Sequence, residues 1–335
     1  MKVKTEKIAL DKYGSFLGME KGCFVVRDKH GKVERFPLFE NEIGEIQLKS
    51  GNTVSTGALA SCGFWGIDVL VLTQKGNPVA ILKSLDDDSH VKTRVCQYEA
   101  LNGKKIEIAK KFVIGKVEGE NQVLKKYGLR RHDYSVMEKI NELKDRRRLI
   151  TYEGHRAKYY FKQVFELFVE SLRPTRRMTF KAYDGLNNLL NLGYEILKWK
   201  VHIAIIKAKL EPYLGFLHSV QWGKPSLVCD FQELYRYLVD DFVIQYCRKL
   251  TAKDFILKAE KFSRNKKGKR EYLNDVKTGD FTRKLNAYFE SEVEIPRIKV
   301  GKKQEIETLI NEEALLFAKY LRNERKTWKP RIVVL

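Results

Sequence analysis

The chain changes texture once, near residue 85, and that change limits its architecture more than any other feature. Up to about residue 84, short β-branched and aromatic runs alternate with turn chemistry: Phe16-Leu17-Gly18-Met19, Cys23-Phe24-Val25-Val26-Arg27, then Asp28-Lys29-His30-Gly31 before Val33-Glu34-Arg35-Phe36. Ile67-Asp68-Val69-Leu70-Val71-Leu72 is another such run, and Lys75-Gly76-Asn77-Pro78 turns it into Val79-Ala80-Ile81-Leu82. A short helix is expected from Ser55 to Phe64, with Ser55 as its cap and Gly63 and Gly66 to end it. The acidic, unpatterned Leu85-Asp86-Asp87-Asp88-Ser89 follows. From Val91 to about Leu321 apolar residues recur at helical spacing, glycine becomes sparse and strand alternation disappears. The expectation is an α+β chain: a small β-rich domain over 1–84, a linker over 85–90, and a large all-α domain over 91–335. A length of 335 residues allows about two domains, each with its own core. No repeat of solenoid period and no glycine-rich phosphate loop is visible.

Charge narrows the partner. Lys and Arg number 64 against 43 Asp and Glu, a formal charge of +21, and a surplus of that size points to a polyanion, most commonly nucleic acid. The basic residues are clustered, at Lys125-Lys126, Arg130-Arg131, Arg146-Arg147-Arg148, Arg176-Arg177, Lys266-Lys267-Gly268-Lys269-Arg270, Arg325-Lys326 and Lys329. Tyr127, Tyr152, Tyr159, Tyr160, Trp222 and Trp328 are interleaved with them. Phosphate neutralisation combined with base stacking at splayed DNA ends uses such a mixture, whereas any single basic run is commonly a solvated face.

Cys23, Cys62, Cys96, Cys229 and Cys247 are odd in number and form no CxxC pair. This argues for free thiols in a reducing compartment rather than a disulfide framework or zinc ribbon. Met1 to Asp11 is charged throughout, with no secretory apolar region. The most apolar stretch, Leu186 to Leu210, is interrupted by Lys198, Lys200 and Lys207 and cannot span a bilayer. A soluble, cytoplasmic protein with no membrane partner is expected.

Three places carry acid or imidazole chemistry. Winding Asp145 to Phe168 at about 100° per residue from Leu149 puts Ala157, Tyr160, Phe161, Val164 and Phe168 in an arc of about 120°. Glu153 falls at about 40°, inside that apolar arc, where a carboxylate is costly unless a cation pairs with it. Gly154 beside it leaves room for another backbone or a ligand. A buried Glu held by an Arg is the alternative. A second helix is expected from Ser226, with Ser226 as N-cap and Leu227, Phe231, Leu234, Tyr235, Leu238 and Phe242 as its buried stripe. Asp230 and Glu233 lie about 60° apart along one edge of that stripe; favouring the helix macrodipole would alone explain such a pair. His218 ends the apolar, glycine-containing Tyr213-Leu214-Gly215-Phe216-Leu217, and a lone His there is more often a core residue than a ligand. His155 points to a different side of its helix from Glu153.

Taken together, carboxylate oxygens and one imidazole nitrogen suit Mg²⁺ or Mn²⁺, the nitrogen favouring Mn²⁺. Such an ion polarises a phosphodiester and acidifies a bound water or hydroxyl. No elbow or spacing supports a nucleophilic Cys or a Ser–His–Asp triad.

Arg146-Arg147-Arg148-Leu149-Ile150-Thr151-Tyr152-Glu153-Gly154, with Ala157 and Tyr160-Phe161 behind it, resembles the E-G-x-A-A-x-x-Y-F element of the CRISPR-associated adaptation integrases, metal-dependent endonucleases that insert new spacers. Asp184-Gly185-Leu186-Asn187-Asn188-Leu189-Leu190-Asn191-Leu192-Gly193-Tyr194 is similar to that family's D-x-x-N-x-x-L-N-x-G-Y helix. Leu214-Gly215-Phe216-Leu217-His218, then Lys224-Pro225-Ser226-Leu227-Val228-Cys229-Asp230-Phe231-Gln232-Glu233, is similar to its G-F-L-H and S-L-x-x-D-x-x-E block. The three blocks occur in order, and the likeness covers essentially the whole chain. Arg156 replaces a usually small residue and His155 makes that turn bulkier, which bears on local packing and substrate reach.

The resemblance implies that Glu153, His218 and Glu233 are metal ligands for Mn²⁺ or Mg²⁺, with Asp230 an essential neighbour, either a further ligand or an orienter of one. Lys224 stands where the family often has a basic residue near the scissile phosphate. With it, Arg146, Arg147, Arg148, Lys266, Lys267, Lys269 and Arg270 are the expected DNA contacts. The implied chemistry is attack of a captured fragment's 3′-hydroxyl on a phosphodiester at the leader–repeat junction, a second attack closing the other strand, and cutting of branched DNA. Homodimers joined through the β-rich domain, bridged by a small second adaptation protein, are the implied assembly. The alternatives are a transposon-encoded integrase of the same superfamily, against which the lack of an appended DNA-binding domain leans, and a non-catalytic nucleic-acid-binding protein whose acidic cluster is structural.

Overall fold

A computed structural model of the chain describes residues 6–38, 43–74, 76, 78–84, 89–179, 182–263, 266–294 and 303–335. They divide into two compact units between Val91 and Lys92.

The first unit contains β1 (Glu6–Leu10), β2 (Phe16–Glu20), β3 (Cys23–Arg27), β4 (Val33–Pro37), β5 (Ile43–Lys49), β6 (Thr53–Val54), α1 (Thr56–Phe64), β7 (Asp68–Leu72) and β8 (Pro78–Leu82). One four-stranded sheet runs β1-β5-β7-β8 and the other β4-β3-β2-β6. β5 and β7 are parallel, so the chain between them must cross over, and α1 lies on that crossover. Leu17, Phe24, Ile46, Ala58, Cys62 and Val69, all buried, form a core shared by the two sheets and α1. Ser55 caps α1 as its sequence requires, accepting from the Ala58 amide at 3.2 Å. The expected strands and this helix are present; β1, β5 and β6 fall outside the runs named above. Residues 85–88 of the expected linker lie outside the described residues, and Ser89 opens the next helix.

The second unit is built from α2 (Ser89–Gly103), α3 (Lys105–Lys126), α4 (Tyr134–Glu142), α5 (Arg146–Val164), α6 (Gly185–Lys207), α7 (Ser226–Glu233) and α8 (Arg236–Cys247). A hairpin of β9 (Phe255–Ser263) and β10 (Lys266–Leu273), then α9 (Asp275–Phe289), β11 (Glu292–Glu294), β12 (Lys303–Glu305) and α10 (Ile306–Leu321) complete it. The mixed class, strands first and helices after, is as expected. The all-helical expectation for the second part is corrected by the two hairpins. β9 and β10 escape an alternation argument because they are charge-rich; of their described side chains only Phe255 and Leu273, at the paired ends, are buried. Glu271 docks the hairpin on α6: its Oε2 accepts the Gly185 amide at 2.7 Å and its carbonyl accepts from Asn188 Nδ2 at 2.7 Å. A side chain at Gly185 would strike the Phe255 ring.

Two further expectations change. The helix starting at Ser226 breaks at Leu234-Tyr235 into α7 and α8. Pro225, not Ser226, takes the N-cap position, and the Ser226 hydroxyl donates to the Ser219 carbonyl at 2.7 Å. Among the described residues no helix is long and apolar enough to cross a membrane.

The last residues close the core. The Trp328 ring lies 5.1 Å from Phe112 and 4.6 Å from Phe317. Its indole N–H donates to Glu313 Oε1 and Arg331 Nε to Glu313 Oε2, each at 2.7 Å. Glu313 is wholly buried, so its charge is tolerable only because both oxygens are engaged. Trp328→Ala should therefore lower stability by roughly 3–5 kcal/mol, read from denaturant unfolding midpoints.

Candidate metal centre

Helix α7 is short and buries Leu227, Val228 and Phe231, but it also buries Asp230 and Glu233. The two carboxylates share an edge in sequence yet have different partners. Asp230 is wholly buried. Its Oδ2 accepts the Phe216 and Leu217 amides at 2.6 and 3.0 Å, and its Oδ1 accepts the His218 amide at 2.9 Å. Oδ1 also lies 2.7 Å from His218 Nδ1. In the neutral ring this fixes the proton on Nδ1 and leaves the Nε2 lone pair for a ligand.

Gly215 is what lets this turn approach α7: a Cβ there would stand 2.8 Å from the Ser226 backbone. From the other side, Arg146 at the start of α5 donates to the Leu217 carbonyl at 2.8 Å.

Glu153, half-buried on α5, faces α3. Its partner is Lys116, whose ammonium pairs with Glu153 Oε1 and stands 2.7 Å from Glu233 Oε2. That buried Glu233 oxygen accepts no well-directed hydrogen bond despite the short distance. Arg236 Nη1 donates to Glu233 Oε1 at 2.7 Å, and the guanidinium lies 4.1 Å over the Tyr194 ring. Burial alone would raise the Glu233 carboxyl, but Arg236, Lys116 and His218 hold it far below the usual carboxylate range. Burial alone would lower the Lys116 ammonium, and the Glu233 and Glu153 carboxylates hold it above its usual value.

A second layer lies behind Arg236. Asp240 accepts from the Tyr160 hydroxyl at 2.9 Å and from the Tyr194 hydroxyl. Burial pushes its carboxyl up to about 6, against the lowering effect of the Tyr194 hydroxyl and Arg236.

Among the described residues no three His, Cys, Asp or Glu side chains stand together as a metal-holding group; the cation between the two glutamates is Lys116. The donor set nevertheless fits a divalent ion. Two carboxylates already surround a positive centre, one of their oxygens lacks a directed hydrogen bond, and the imidazole presents Nε2.

Of the expected DNA contacts, Arg147, Arg148 and Lys269 are exposed and Lys224 is half-buried. Arg146 is committed to Leu217, and Arg270 pairs with Glu260 at 2.8 Å. Lys266 and Lys267 lie on β10, and their side chains lie outside the described residues. Gly154 has nothing within 4 Å of where a Cβ would be, so the protein's own packing does not require glycine there. Lys116 and Arg236 were not among the expected site residues. The signal for Lys116 is its place on α3 among Ala109, Phe112, Val113, Val117 and Val123, the same apolar-arc reasoning that singles out Glu153.

The family model described as CRISPR associated protein Cas1 matches residues 8–278. A protein named CRISPR-associated endonuclease Cas1 2, from Pyrobaculum aerophilum, is 33% identical over 261 residues, which is 75% of this chain and 86% of that protein. Two solved structures share the fold. A casposase bound to integration product has a TM-score of 0.71 at 21% identity, covering 97% of this chain and 99% of that one. A partial Cas6-RT-Cas1–Cas2 complex has a TM-score of 0.75 at 17% identity, covering 98% of each.

Asp240 gives a pH test. Its folded pKa, about 6, exceeds the ordinary 3.8, so the folded state holds the proton longer than the unfolded state. Its contribution is most favourable below about 4 and is lost as pH rises toward about 6. Wild type should lose on the order of 2–3 kcal/mol across that window relative to Asp240→Asn, measured by denaturant unfolding of both proteins at the two ends.

Proposed function

The chain belongs to the Cas1 family of CRISPR-associated proteins, and from that premise we propose that it is a metal-dependent DNA endonuclease and integrase that inserts foreign DNA fragments into a CRISPR array. The observation that carries this reading is the pairing of His218 with buried Asp230 beside the Glu153–Lys116–Glu233 cluster. A structural acidic patch has no need of an imidazole whose tautomer is set by a buried carboxylate and whose other nitrogen is left for a ligand.

Glu153, His218 and Glu233 would hold Mn²⁺ or Mg²⁺. The chemistry that ion supplies when bound is polarisation of a phosphodiester and acidification of a nucleophilic hydroxyl or water. Asp230 acts as the orienter of His218 and not as a ligand, since both its oxygens are occupied by amides and the ring. Arg236 keeps Glu233 ionised. Arg146 fastens the turn that carries His218. The open space at Gly154 supports close approach of DNA backbone to α5. In the reaction, the 3′-hydroxyl of the fragment attacks a phosphodiester at the leader–repeat junction, so one such bond forms as another breaks. Water in place of the hydroxyl gives cutting of branched DNA.

DNA would run over the exposed Arg147, Arg148 and Lys269, with Lys224, Lys266 and Lys267 contributing and Arg146 and Arg270 set aside for internal contacts. Trp222 stands fully exposed on the Gln221–Lys224 turn, where a ring can stack on an unpaired base. A homodimer joined through the β-rich unit, a small second adaptation protein and a cytoplasmic setting complete the proposal. The shared fold with a Cas1–Cas2-containing complex supports the partner. The casposase likeness is one of fold, and the family match favours the CRISPR role over a transposon-encoded one.

Glu153→Ala and His218→Ala should each abolish Mn²⁺-dependent cleavage of branched DNA in a gel assay while DNA binding survives. Undiminished cutting by both would sink the metal-centre reading. Separately, log affinity for duplex DNA should fall linearly and steeply with log salt, as release of condensed counterions requires. A flat dependence in binding titrations would mean the surplus charge serves another purpose.

A further inference from the structure

Lys116 is an unusual group to find between Glu153 and Glu233. Lysine is almost never buried without a partner, and here about 10% of the side chain is exposed while its ammonium pairs with both carboxylates. It comes from α3, a different helix from either acid, on a face that also buries Phe112, Val113, Val117 and one further acid, Glu120, which pairs with His132 at 2.9 Å. A surface lysine finding an acid by chance would be extended and solvated, not sunk among Phe112, Val113 and Val117. The charge arithmetic explains the placement. Glu153 and Glu233 brought together without a cation would repel each other in a poorly hydrated site. Arg236 occupies only the Oε1 side of Glu233, which leaves Glu153 and Glu233 Oε2 to be balanced.

Resting on the metal-centre reading above, we propose that Lys116 is the internal stand-in for the divalent cation: its ammonium holds Glu153 and Glu233 together in the metal-free protein and must leave them when the metal enters. Lys116 is thus a positioning residue that also sets metal affinity. Each binding event exchanges one monovalent partner for a divalent one at the same pair of carboxylates, so Lys116 raises the metal concentration needed to load the site. It also explains why no three-donor group is assembled among the described residues: the two glutamates converge on Nζ, not on a point shared with His218.

The test has two arms. Mn²⁺ binding is measured by calorimetry for wild type, Lys116→Met, which keeps length without charge, and Lys116→Arg, which keeps charge. Loss of a unit charge this close should tighten Mn²⁺ binding by about tenfold or more in Lys116→Met, and Lys116→Arg should bind no tighter than wild type. Affinity in Lys116→Met equal to or weaker than wild type overturns the proposal. The second arm needs no variant, so it stands even where Lys116→Met fails to fold. In a crystal structure of the wild-type protein with Mn²⁺, Nζ should have left one or both glutamates. Mn²⁺ on Glu153, His218 and Glu233 with both Lys116 pairs intact overturns the Lys116 proposal alone. Absence of Mn²⁺ from these residues in both arms would instead sink the metal-centre reading, and this proposal with it.

Discussion

One buried carboxylate holds the candidate site together. Asp230 accepts three consecutive backbone amides, from Phe216 to His218, and the ring of His218. Removing a carboxylate from water is costly unless every lone pair finds a donor, and this one succeeds only if the turn wraps it in a single conformation. The turn, in turn, can come that close to α7 only because Gly215 has no Cβ. Arg146 ties the outer side of the same turn to α5, the helix that carries Glu153. The relative placement of Glu153, His218 and Glu233 therefore depends on satisfying one aspartate, and the helices are located around that requirement.

Beyond Asp230 the site is a chain of alternating charges: Glu153, Lys116, Glu233, Arg236, then the Tyr-bound Asp240. Buried ion pairs contribute little net stability, since desolvation offsets much of the Coulombic attraction. Their value here is positional. Each member fixes the rotamer of the next, and breaking one leaves an uncompensated charge. A site of this kind holds its side chains in one arrangement, and preorganised charge of that sort costs no rearrangement when a ligand arrives.

How much of this was legible depends on what each residue answers to. Glu153 was visible because a local rule, helical periodicity, is violated by a charge in an apolar arc, and its cationic partner exists. The alternative, a buried Glu held by an Arg, has the right charge and the wrong residue, since the partner is Lys116. Lys116 violated the same rule and was equally legible. Asp230 and Glu233 were legible as a pair, but their different partners were not, because these come from the 215–218 turn and from α3, which are remote in sequence. His218 obeys no local rule at all; only the family blocks single it out. The break between α7 and α8 and the β9–β10 hairpin were missed for a related reason. In the first, apolar spacing runs through the break, and in the second, the strands are too rich in charged residues to alternate.

The basic clusters show how one global inference can rest on mixed local ones. Arg146 is spent on a carbonyl, Arg177 on Asn187 and Asn191, and Arg270 on Glu260. Runs of basic letters therefore overstate the exposed cationic surface, and membership in a run is poor evidence that a given side chain meets phosphate. The net charge escapes this objection. Lys116 and Arg236 stand against Glu153 and Glu233, Lys126 against Asp241 and Arg331 against Glu313, so such pairs cancel in the sum and cannot supply a surplus of +21. That surplus must be carried by side chains whose charge the fold does not neutralise. A polyanion is what such a surface attracts, and because the internally paired cations cancel, the surplus charge points to that polyanion more directly than the sequence clusters do.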